Sequence, residues 1–83
     1  MRRKILDKEK VKLALTAAFL EEINKLVKIG PAAVQWGAIT AASEKAKVTA
    51  STETGINVLR FEPCKGGKIV AIDPETEEEV EIT

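Results

Sequence analysis

The sequence predicts an α+β domain in which one long N-terminal amphipathic helix packs on a curved antiparallel meander sheet of four to five strands. Three observations carry that expectation. Apolar residues recur with helical period between Asp7 and Ile29, Gly30-Pro31 forms a stop signal, and β-prone segments separated by turn residues follow. An alternative with the same ingredients has two helices followed by four strands.

The helix is the clearest element. Advancing 100° per residue places Leu13, Leu15, Phe19, Leu20, Ile23, Leu26 and Val27 within one arc of about 160°. Lys10, Glu21, Lys25 and Lys28 lie opposite. Asp7 suits the N-cap, although Lys10 stands where a capping box would place Glu. Lys25 and Lys28 complement the dipole at the other end. An arc this wide exceeds a two-in-seven coiled-coil seam and suits a helix lying across a sheet. Lys8 and Lys12 fall inside the apolar sector, which places the first turns beyond the core.

Residues 32–42 (AAVQWGAITAA) can be read two ways. Five alanines favour helix. As a strand, Val34, Trp36, Ala38, Thr40 and Ala42 share one face and Gly37 is less awkward, so the strand reading is preferred. From Ala46, small or apolar residues alternate with Lys47, Thr49, Ser51 and Glu53, which predicts another strand ending at a Thr54-Gly55 turn. The next segment, Ile56 to Glu62, carries Ile56 and Val58 on one face and Leu59 and Phe61 on the other. That change of phase predicts a bulge or burial on both sides. Pro63 and the Lys65-Gly66-Gly67-Lys68 loop precede a last hairpin. Its arms are Lys68–Asp73 and Glu79–Thr83, with turn chemistry at Asp73-Pro74-Glu75-Thr76.

Composition bounds function. Eighty-three residues give room for one core, so 1–83 is read as a single small domain. Apolar residues make up 45% and charged residues 31%, well outside the disordered range. Thirteen basic and thirteen acidic side chains cancel, which argues against a dedicated polyanion binder. Cys64 is the single cysteine, so an intrachain disulfide is impossible and a cytoplasmic location is expected. No signal-peptide core follows Met1-Arg2-Arg3-Lys4, and no apolar run approaches membrane-spanning length. Scarce Asn, Gln, Met and Cys against abundant Lys and Glu suit a thermophilic or designed chain.

No catalytic set can be assembled. Cys64 sits beside Lys65, but the chain has no histidine to act as its base. Gly66-Gly67-Lys68 lacks P-loop spacing. The six carboxylates from Asp73 to Glu81 lie in or beside a turn and lack the spacing of a calcium loop. The chain is therefore expected to be no enzyme and to use no cofactor or metal. The first expectation is a protein-protein interaction or self-assembly module, homo-oligomeric, with Trp36, Leu59 and Phe61 as candidate interaction residues. Leu59 and Phe61 are expected to lie on a sheet face that the helix does not cover. A second expectation is a nucleic-acid-binding domain whose phosphate contacts are Arg2, Arg3, Lys4, Lys8 and Lys12, although no aromatic residue nearby could stack on bases. A third is a small-ligand site between helix and sheet, near Trp36.

Overall fold

A computed structural model describes residues 5–82; Arg2, Arg3 and Lys4 lie outside them. The chain forms helix α1 (Lys8–Ile29), a single 3-10 turn (Pro31–Ala33), helix α2 (Trp36–Thr54) and strands β1 (Val58–Glu62), β2 (Lys68–Ile72) and β3 (Glu79–Ile82). The strands make one antiparallel sheet in the order β1-β2-β3. The α+β class and the closing hairpin agree with the sequence. Strand number and helix number do not, because residues 36–54, read as two strands, are one helix.

α1 starts and stops where its residues dictate. The Asp7 carboxylate accepts a hydrogen bond from the Lys10 amide at 3.1 Å, and the Gly30 amide donates to the Leu26 carbonyl at 3.2 Å. The buried face, however, is Val11, Leu15 and Ala18. It lies at one edge of the arc defined by the large side chains, sharing Leu15 with it, and it leaves Leu13, Leu20 and Val27 at 61%, 54% and 57% exposure. The reason lies in α2, whose buried residues are Ala42, Ser43, Ala46 and Ala50, spaced for one helical face. A face of small residues lets two helices approach closely, so α1 turns its own Ala14 and Ala18 toward the protein. Lys8 and Lys12 are exposed, yet the first turns do not project beyond the core: Val11 and Leu15 are among its best-buried members.

α2 ends on Gly55, which takes the left-handed conformation (φ 72°, ψ 10°) and donates its amide to the Ser51 carbonyl. Thr54-Gly55 is thus a helix cap rather than a hairpin turn. The chain then enters β1, where the Ser51 hydroxyl accepts a hydrogen bond from the Val58 amide at 3.1 Å. β1 pairs with β2 through Val58–Ala71, Arg60–Val70 and Phe61–Ile69, so Leu59 is the extra residue of a β-bulge. The bulge resolves the change of phase seen in the sequence. It returns Phe61 to the helix side, where its ring meets Phe19 edge to face at 5.7 Å.

Leu59 and Phe61 therefore do not share an uncovered apolar face. The side of the sheet away from the helices crosses from Arg60 through Val70 to Glu81 and also carries Lys68, Glu79 and, at the bulge, Leu59. It is mostly charged. The core joins Val11, Leu15 and Ala50 to Ile56, Val58, Ile69, Ala71 and Ile82. A 22-residue helix is about 33 Å long, whereas a five-residue strand spans about 17 Å. The helical hairpin thus outruns the sheet, and the molecule measures 48 × 23 × 16 Å.

Candidate functional site

Two surfaces bear on the candidate residues: a cleft beside the sheet and the outer side of α1. The cleft has a volume of about 430 Å³ and opens between the first half of α2 and the β1–β2 corner. Trp36, Leu59 and Phe61, the candidate interaction residues, all line it. Trp36 begins α2 and is 65% exposed, so it stands at the rim rather than in the core. Leu59 reaches the cleft because the bulge displaces it from the pleat, and Phe61 closes the inner end against Phe19.

Polar groups around the cleft are already engaged with one another. The Lys47 ammonium pairs with Glu44 at 2.8 Å and donates to the Leu59 carbonyl at 3.3 Å. That second contact covers a backbone acceptor of β1, an edge strand of the sheet. Glu62 lies 3.7 Å from both Arg60 and Lys65. The Ser43 and Thr40 hydroxyls donate back to the Ile39 and Trp36 carbonyls of their own helix. Cys64 is exposed at the corner. The lining thus combines apolar side chains, Trp36, Ile39, Leu59, Phe61 and Pro63, with charges that are paired among themselves.

The outer side of α1 is a seam, of which the sequence reading placed Leu13, Leu20 and Val27 in the apolar arc. Leu13, Ala17, Leu20, Asn24 and Val27 follow one another at spacings of four, three, four and three, and all five are exposed. The signal was present as two interleaved stripes, with Val11, Leu15 and Ala18 as the other. The larger side chains drew the arc across both, since Leu15 is buried while Leu13, Leu20 and Val27 are exposed. Ile39, Ser43, Glu44 and Lys47 were missed for a different reason, since their segment was read as strand.

Lys8 and Lys12 are exposed near the start of α1 and do not approach the cleft lining. Among the described residues, no three Cys, Asp or Glu side chains come together as a metal site, and no helix is long and apolar enough to cross a membrane. No protein-family model, curated protein or solved structure matches this chain.

Proposed function

We propose that the chain is a noncatalytic interaction module that assembles with itself through its helices. The observation that carries this reading is the exposure of Leu13, Leu20 and Val27 along one side of α1. Scattered exposed leucines need no explanation, but three large apolar residues in line on one helix are the pattern of a buried partner face. The noncatalytic part rests on residue chemistry: the sequence has no histidine, and the Lys47 amine beside the cleft is held by Glu44 and the Leu59 carbonyl. Molar mass by light scattering on a sizing column tests the proposal. A dimer or larger species at micromolar concentration supports it, and a monomer at every accessible concentration overturns it.

The cleft favours a second reading, a site for a small amphiphilic ligand. Its volume lies within the usual range for such sites, about 300–1,000 Å³. Trp36 is the single tryptophan, so its emission reports on the cleft directly. Titration with anilinonaphthalene sulfonate should quench Trp36 by energy transfer, and Leu59→Asp should weaken that binding. Absence of dye binding to the folded protein would remove this reading and leave the first untouched.

A further inference from the structure

We infer that the partner on α1 is a second copy of this chain, packed antiparallel so that Ala17 of each copy receives Leu20 of the other. The inference rests on the self-assembly reading and adds its surface, orientation and register. In heptad terms Leu13, Leu20 and Val27 occupy one core position while Lys10, Ala17 and Asn24 occupy the other. An antiparallel pair sets members of the two classes opposite each other. The large Leu20 then faces the small Ala17 twice about the two-fold axis, Leu13 faces Asn24, and Val27 faces the stem of Lys10.

Charge selects this register. Asp7, Ala14, Glu21 and Lys28 flank the seam on one side. With Ala17 opposite Leu20, Lys28 of each copy comes beside Asp7 of the other, and Glu21 meets Ala14. Sliding one heptad in either direction instead sets Glu21 against Glu21 or against Asp7, and like charges there are unfavourable. Neither Asp7 nor Lys28 has an ion-pair partner among the described residues. A parallel pair would match Asn24 with itself, a known way of fixing register. It would also set Lys10 on Lys10 and provide no opposite-charge pair across the described flanks: Glu9 would meet Ala14, Thr16 would meet Glu21, and Ile23 would meet Lys28. Two ion pairs and the Leu20–Ala17 fit favour the antiparallel arrangement.

Size sets the expected strength. From Leu13 to Val27 the seam runs about four turns, which belongs with small, reversible interfaces below about 1,200 Å². The dimer should therefore dissociate on dilution.

Sedimentation equilibrium and thiol crosslinking of the full chain test the inference together. The wild type should show a monomer–dimer equilibrium, and Leu20→Glu should weaken it by at least about 30-fold, as loss of a central anchor does. Because Leu20 is exposed in the monomer, the variant should keep the wild-type circular dichroism spectrum. Lys28→Glu should weaken the dimer by roughly 5-fold, and by less when Asp7 is already Ser, which preserves the cap without the charge. In a Cys64→Ser background, a short bismaleimide should join Leu13→Cys to Asn24→Cys when the two variants are mixed, and should join neither to itself, because each lies about 16 Å along the axis from its own counterpart. Self-crosslinking of Asn24→Cys would overturn the antiparallel register while leaving self-assembly standing. A wild-type dimer insensitive to Leu20→Glu would overturn the surface, and a strictly monomeric wild type would overturn both inferences.

Discussion

A Cβ at Gly37, in the first turn of α2, would meet nothing within 4 Å, and the residue is not among those with positive φ. Gly37→Ala should therefore stabilise the fold by about 0.5–1 kcal/mol, because alanine gives up less backbone freedom on entering a helix. A urea midpoint that falls instead would mean that α2 begins later than Trp36. Glu22 offers a second measurement at this scale. Lys25 donates to it at 2.9 Å and Lys45 lies at 3.6 Å. The Lys25 hydrogen bond is the main cause holding the Glu22 carboxyl below its ordinary range, and the same bond raises Lys25. A carboxyl depressed in the folded state contributes stability above its unfolded pKa and loses it as pH falls through the folded value. For the raised ammonium, the contribution is present below the unfolded pKa and is lost as pH rises through the folded one. Lys25→Gln should accordingly move the Glu22 midpoint upward in a carboxyl-carbon NMR titration, and an unmoved midpoint would show that the pair does not form in solution.

α2 shows what was legible at the scale of elements and what was not. α1, with its Asp7 cap and Gly30 stop, and the hairpin around Asp73 could be read directly because capping and turn chemistry are local. The Asp73 carboxylate accepts a hydrogen bond from the Glu75 amide at 2.8 Å within that turn. In α2, local preference and tertiary packing disagree. Val48, Thr49 and Thr52 favour strand, and residues 46–53 alternate well enough to look like one. Yet Ala42, Ala46 and Ala50 repeat every four residues and are the buried positions. The hydroxyls of Ser51, Thr52 and Thr54 are satisfied by carbonyls four residues back. The candidate cleft was half legible for the same reason: Trp36, Leu59 and Phe61 stand out by type, whereas their convergence depends on α2 being a helix. The alanine face makes a sharp prediction. Ala46 is fully buried on the inner face of α2, so Ala46→Leu should destabilise by about 1–3 kcal/mol through overpacking. Val48→Leu, at a position 65% exposed, should change stability by less than about 0.5 kcal/mol. Denaturant midpoints of the two variants separate the helix from a strand, in which Ala46 and Val48 would share a face and respond alike.

At the scale of the whole molecule, the same apolar content is divided between a small core and an uncovered helix side. Among the described residues the large buried side chains are few, Leu15, Ile82 and Val11 with Ile56, Val58 and Ile69 beside them, and a domain of this size hides only roughly 60–65% of its unfolded surface. Folding and association should then be linked, because burial along α1 adds to a core with little margin. A dimer that unfolds to separate chains gains about 1.4 kcal/mol per mole of dimer for each tenfold rise in concentration. For a chain of this length that corresponds to a Tm increase of roughly 3–5 °C per decade. Calorimetric scans of the wild type across two decades of concentration should show this slope, and Leu20→Glu should flatten it while lowering Tm only to the wild-type value at high dilution. A concentration-independent wild-type Tm would mean that the core is sufficient alone and that the outer side of α1 remains in water. A slope retained by Leu20→Glu would place the association elsewhere, and the Trp36 rim of the cleft would be the first surface to substitute.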